Sequence, residues 1–107
     1  DICNLWVKLK ISCKIEKVSE IPAVFQIFLY QFKLPADPDQ YALWHSGQVN
    51  NISRYKNLRI DKLLEDGRSI SDVEKRKAIY SDFQKYLIDD SPAIFLFFPN
   101  EYTITKK

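Results

Sequence analysis

Methionine is absent from the 107 residues, glycine and cysteine occur twice each, and histidine occurs once. A chain without an initiating methionine and with so little glycine is expected to be a mature piece or excised segment rather than a complete gene product. Two cysteines exclude a disulfide framework of the small secreted kind; Cys3 and Cys13 each sit in an apolar pattern, so buried free thiols are the expectation. One histidine, with no H-E-x-x-H or C-x-x-C spacing, leaves no protein-only metal cage, and neither a metal nor another cofactor is expected. An excess of one charge is also missing: 16 basic against 14 acidic residues gives a net charge of +2, which makes no electrostatic case for nucleic acid or anionic lipid. No apolar run reaches the roughly 20 residues needed to cross a bilayer, and no signal peptide is visible. The length suits one domain.

What is there is aromatic and apolar. In "DICNLWVKLK", Ile2, Leu5, Trp6 and Leu9 share one helical face, and "ISCKIEKV" then alternates like a half-buried strand. "VFQIFLYQF", Val24 to Phe32, and "AIFLFF", Ala93 to Phe98, are almost continuously apolar and read as strands covered on both faces, with "YTIT" extending the sheet or beginning another strand. In "DPDQ", Asp37 fits an N-cap, Pro38 the first helical position and Gln40 a capping box, opening a short helix with Tyr41, Trp44 and His45 that yields at Gly47. Asn57 is expected to cap the next helix, with Ile60, Leu63 and Leu64 as its stripe and Gly67 at its end. Ser71 and Glu74 form a second capping box before Val73, Ile79, Tyr80, Phe83, Tyr86 and Leu87, which recur at helical spacing to about Asp89, and Pro92 stops that helix. Strands alternating with amphipathic helices predict an α/β fold, a mixed sheet with flanking amphipathic helices, as one domain over 1–107.

Four chemistries compete for these residues. Asp37, Asp39, His45 and Ser46 carry acid, base and hydroxyl groups, yet His45 and Ser46 are neighbours on a helix and diverge by roughly 100°, so no nucleophile faces its base and no catalytic residue is assigned. His45 alone offers at most one metal ligand. The aromatic runs loosely resemble the stacking strands of RNA-binding sheets but lack their glycines and basic residues, and the "EKRK" cluster is a solvated helix face, so no nucleic-acid partner is expected. Trp44, His45, Gln48 and Tyr55 mix aromatic surface with hydrogen-bonding tips, which suits a pocket wall; ordinary helix packing of Tyr41 and Trp44 is the bland alternative.

Taken in order, "LPADPDQYALWHSGQ", "NISRYKNLRIDKLLEDGR" and "EKRKAIYSDFQKYLIDDSPAIFLFFP" resemble one family. The pattern is D-P-D, W-H-S, Y-x-N-x-x-[IV]-D-x-L-L, K-R-x-x-[IL]-Y-x-x-[FL]-Q and D-x-P-x-[IF]-F-L, from about Leu34 to Pro99. It is similar to the C-terminal lobe of family 5 extracellular solute-binding proteins, the oligopeptide, dipeptide and nickel class serving ABC importers. "NLWVKLKISCKIEKV" resembles the preceding helix–strand unit of that family.

The resemblance implies a longer, two-lobed protein with a type II periplasmic-binding-protein-like fold, closing around a peptide or similar small solute and delivering it to permease subunits of the transporter. It implies a periplasmic or extracellular location, lipid-anchored in some cells, and no catalysis. This chain would supply one wall of the cleft, completed by the remaining lobe; Trp44, His45, Gln48, Asn51 and Tyr55 are expected to face the solute because they follow the end of the second strand, the edge that ligands of open α/β sheets favour. An isolated structural or interaction module with no ligand of its own is the alternative. The pattern departs from the family at Leu34, where many peptide binders carry an aspartate for the ligand's amino terminus. It departs again at Lys10, where the family has glycine, at Phe25-Gln26 for the usual F-D, and between the first two strands, where about ten residues are absent.

Overall fold

In the computed structural model, which describes residues 2–32, 36–100 and 102–106, the regular structure is four helices and, among the described residues, no strand. The chain divides into two compact units, residues 1–33 and 34–107.

In the first unit, α1 spans Ile2–Lys8. It ends in a Schellman turn: the amide of Ile11 donates to the carbonyl of Trp6 (3.0 Å) and that of Lys10 to Val7 (3.0 Å), with Lys10 in the left-handed region at φ 60°. Glycine takes this position at no steric cost, whereas lysine bears the crowding of its Cβ. The turn reverses the chain and brings Cys13 back beside Cys3, with Cα atoms 5.4 Å apart and the sulfurs bonded. The expectation of free thiols is therefore corrected: apolar spacing suggested burial, but chain reversal decided the pairing. Further along, the rings of Phe28, Tyr30 and Phe32 stack in a row at period two, 5.9 and 6.1 Å between successive centroids.

In the second unit, α2 (Tyr41–Trp44), α3 (Leu58–Ser69) and α4 (Val73–Asp90) form the core. The buried set is Trp44 from α2, Ile60 and Leu64 from α3, and Tyr80, Phe83 and Leu87 from α4. These are the inward positions that a 3.6-residue period selects. Asn57 caps α3 as its sequence predicts, its side chain accepting from the amides of Arg59 and Ile60. At α4 the cap is Asp72, accepting from Lys75 N–H at 2.9 Å, one residue beyond the expected Ser71; a carboxylate there also meets the positive end of the helix dipole. Gly67 lies inside α3 rather than ending it. Ser91, at φ 49°, closes α4 ahead of Pro92.

The α/β expectation, a mixed sheet with flanking helices, is overturned by the absence of any strand among the described residues. A strand is satisfied only by the ladder of a neighbour. The runs at 11–16, 24–32, 93–98 and 102–105 find no such neighbour among the described residues and remain irregular. Most of their large side chains are exposed, Val24 at 85% and Phe98 at 83%, while Phe25, Phe28 and Ala93 are half-buried. Apolar composition marked segments suited to burial; among the described residues most of their large apolar side chains stay exposed.

Candidate functional site

The D-P-D segment is built by two successive Asx turns. Asp37 Oδ1 accepts from the amide of Asp39 (2.8 Å), and Asp39 Oδ1 accepts from that of Tyr41 (2.9 Å). These turns replace the expected capping box: the N-cap of α2 is Gln40, whose side chain makes no capping bond. Each acid also holds an arginine. Arg76 of α4 grips Asp37 through both terminal nitrogens (3.1 and 2.5 Å) while its Nε donates to the carbonyl of Gly67 (2.9 Å). Arg68 of α3 meets Asp39 at 2.9 Å, and its guanidinium lies 4.4 Å from the centroid of the Tyr41 ring. The Arg76 guanidinium, with help from the Asp39 amide, holds the Asp37 carboxyl below the ordinary carboxylate range. The four charged side chains line an open groove of about 340 Å³ in which every charge faces its opposite. Asp37 is thus committed to its own turn and to Arg76, and the acid–base option loses its carboxylate.

Beyond α2 the chain turns over the imidazole of His45, which stacks on Tyr41 with centroids 4.2 Å apart. The amide of Gly47 donates to His45 Nδ1 at 3.1 Å. A backbone N–H can only donate, so Nδ1 is the unprotonated nitrogen and Nε2 carries the hydrogen, facing Glu65 Oε1 at 3.4 Å. Gly47 permits this close approach, since a Cβ there would sit 3.3 Å from Nδ1. Ser46 is fastened to α3: its amide donates to Asp61 Oδ1 (2.8 Å) and its hydroxyl to Asp61 Oδ2 (2.5 Å).

Asn51 organises the rest of the loop. Its Nδ2 donates to the carbonyls of Tyr55 (2.7 Å) and His45 (3.4 Å), and its Oδ1 accepts from Ser53 Oγ (3.0 Å) and the Tyr55 amide (3.2 Å). The Tyr55 hydroxyl donates to the Asp90 carboxylate at the end of α4, where Asn57 Nδ2 also donates at 2.7 Å. Burial first, then the Asp90 acceptor, pushes the Tyr55 phenol up to about 12. The same bond, followed by that from Asn57, lowers the Asp90 carboxyl.

The five residues singled out from the sequence therefore occupy different settings. Trp44 is 7% exposed, within the core, and meets Phe95 edge-on at 6.1 Å. Asn51 is 6% exposed with its amide spent on the loop. His45, Gln48 and Tyr55 are half-buried; the backbone amide of Gln48 donates to the His45 carbonyl at 3.0 Å, while its side-chain amide makes no hydrogen bond among the described residues. The hydrogen bonds of Asn51 tie the His45 and Tyr55 ends of the loop together. Leu34, the position marked for a missing amine anchor, lies outside the described residues. Sequence reasoning missed the anchoring acids Asp61 and Asp90. The available signal was Asp61's place on the inward arc of α3, beside Ile60 and three residues before Leu64.

No family model and no solved structure matches the chain. Three curated relatives do. The oligopeptide-binding protein AppA of Bacillus subtilis (strain 168) is 32% identical over 94 residues, covering 85% of this chain and 17% of AppA. Protein XP55 of Streptomyces lividans is 38% identical over 66 residues, 56% of this chain and 12% of that protein. The probable D,D-dipeptide-binding periplasmic protein DdpA of Escherichia coli (strain K12) is 37% identical over 54 residues, 50% of this chain and 10% of DdpA. The chain thus spans less than a fifth of the length of each relative. It is similar to a segment of each, and AppA and DdpA are named for binding oligopeptides and D,D-dipeptides.

Proposed function

We propose that this chain is a piece of the C-terminal lobe of a family 5 extracellular solute-binding protein, and that its loop from Trp44 to Tyr55 forms one wall of a peptide site. The similarity to AppA along most of the chain carries this reading. The loop geometry supports it, because the hydrogen-bonded turn leaves the side-chain amide of Gln48 without a partner among the described residues. Trp44 and Asn51 build the wall from behind; His45, Gln48 and the ring of Tyr55 present it. Nothing in this role requires catalysis. The solute would be a peptide or a similar small molecule, passed to the permease subunits of an ABC importer. The location would be periplasmic or extracellular, with a lipid anchor in some cells. The Cys3–Cys13 disulfide suits such an oxidising compartment. Among the described residues, no helix is long and apolar enough to cross a membrane.

Affinity in a two-lobed clamp arises from both walls and from the water that closure excludes. Calorimetric titration of short peptides should therefore register binding to the longer protein that contains this segment, and none of high affinity to the 107 residues alone. Tight binding by the 107 residues alone would contradict the one-wall role, and a longer protein that binds no peptide or related solute would contradict the function. The second reading, an interaction module without a ligand, draws on the outward-facing run Ile94 to Phe98. Size-exclusion chromatography separates the two: a clean monomer argues against the module.

A further inference from the structure

Asp61 is the buried acid that the proposed peptide wall does not use, and its surroundings explain why it is there. It lies on the first turn of α3 and is 8% exposed, a setting in which a carboxylate gives up most of its hydration. Both of its oxygens are occupied by one residue, Ser46, through a backbone amide at 2.8 Å and a hydroxyl at 2.5 Å. Neither donor carries a charge. Two bonds from adjacent groups of a single residue fix the position of that residue and its orientation together, which one bond cannot do. Ser46 is the point where the chain leaves α2 and begins the turn, with His45 before it and Gly47 donating back onto the imidazole. Holding Ser46 therefore sets the imidazole edge on one side and the start of the Gln48 segment on the other. Glu65, one helical turn beyond Asp61 on α3, faces the same imidazole at 3.4 Å. Two acids of α3 thus serve consecutive residues of the loop.

We infer that Asp61 is a positioning residue: its carboxylate holds Ser46, and through it the wall from His45 to Gln48, in the geometry that meets a peptide. The inference rests on the solute-binding reading for its purpose, though not for the anchor itself. Two variants separate positioning from general support. In Asp61→Ala the Ser46 amide loses its acceptor. In Asp61→Asn the remaining carbonyl oxygen still accepts from that amide, and the serine hydroxyl reverses to accept from the new NH₂ group.

Amide hydrogen exchange followed by NMR on the 107-residue chain reads the anchor directly. Exchange at Ser46 should speed up about tenfold or more in Asp61→Ala, stay near the wild-type rate in Asp61→Asn, and leave Tyr80, Phe83 and Leu87 of α4 unchanged. Equal Ser46 exchange in wild type and Asp61→Ala would overturn the anchor. So would accelerated exchange along α4 in both variants, which would make Asp61 a general support of the core. In the longer protein, peptide affinity should fall in Asp61→Ala and recover in Asp61→Asn. If Gln48→Ala weakens binding while Asp61→Ala does not, positioning is refuted and the peptide wall stands. If Gln48→Ala has no effect while Ser46 still responds to Asp61→Ala, the anchor stands and the wall is refuted.

Discussion

Gly67 sits in the last turns of α3, buried against the ring of Tyr80 on α4. A Cβ at that position would lie 2.9 Å from Tyr80 Cζ, 3.0 Å from its hydroxyl oxygen and 3.2 Å from Cε2. Comfortable contacts fall near 3.5–4.0 Å, so Gly67→Ala forces the ring or the helix to move by roughly 0.5–1 Å. The ring has little room: it is buried, packs edge-to-face on Phe83 at 6.4 Å, and lies beneath the Arg76 guanidinium at 5.4 Å. Moving α3 instead would disturb the bond from Arg76 to the Gly67 carbonyl. Helix propensity alone favours alanine by about 1 kcal/mol. Overpacking of a filled core costs about 1–3 kcal/mol. The clash should win, leaving Gly67→Ala destabilised by about 1 kcal/mol, read as a lower urea midpoint in the helical circular-dichroism signal. The sign should invert when the ring is removed: in a Tyr80→Leu background the same substitution should stabilise by up to about 1 kcal/mol. The two positions would then be coupled by about 2 kcal/mol, within the range for touching residues. An increase in stability of similar size in both backgrounds would refute this account of why glycine is inside the helix.

The Tyr55 phenol, raised to about 12 chiefly by burial and then by Asp90, should ionise above the ordinary 10.0 in an ultraviolet pH titration, and Asp90→Asn should bring it down. Because the folded value lies above the ordinary 10.0, its contribution to stability is present below pH 10 and is lost as pH rises towards 12; an unshifted titration in Asp90→Asn would remove Asp90 as a cause. Asp37, lowered by Arg76, behaves with the opposite sign. Its contribution is present above pH 3.8 and fades as pH falls through the lower folded value, and Arg76→Gln should weaken that dependence, leaving the part due to the Asp39 amide; an unchanged acid limb would refute the pairing. Lys10→Gly should stabilise the end of α1 by about 1 kcal/mol, seen as slower amide exchange at Lys10 and Ile11, whereas faster exchange would contradict the left-handed closure.

What could be read from the sequence was local. Asn57 as a cap, Pro92 as a stop, and the burial of Ile60, Leu64, Tyr80, Phe83 and Leu87 follow from spacing within a single helix. The Asp72 cap lay one residue from the expected Ser71 because two competent caps are adjacent, and only the geometry of the turn chooses between them. Asp37 looked like a cap because D-P-D-Q satisfies the local pattern; its actual partners include Arg76, 39 residues away. Gly67 resembled a helix terminator, and its real constraint is a ring on another helix. The strand expectations failed for the same reason on a larger scale. Val24 to Phe32 and Ala93 to Phe98 have the composition of covered strands, but composition cannot supply the neighbour that completes a ladder. Within the candidate loop, spacing alone did not distinguish Trp44 and Asn51, which are buried, from Gln48, whose side chain makes no hydrogen bond among the described residues.

If this loop meets a solute as proposed, Gln48 is the side chain whose loss should be felt first. In the longer protein carrying this segment, calorimetric titration with peptides should give Gln48→Ala an affinity about tenfold weaker than wild type, the usual scale for removing one well-placed contact, with an unchanged thermal midpoint. Identical affinities for the two proteins would contradict the proposal.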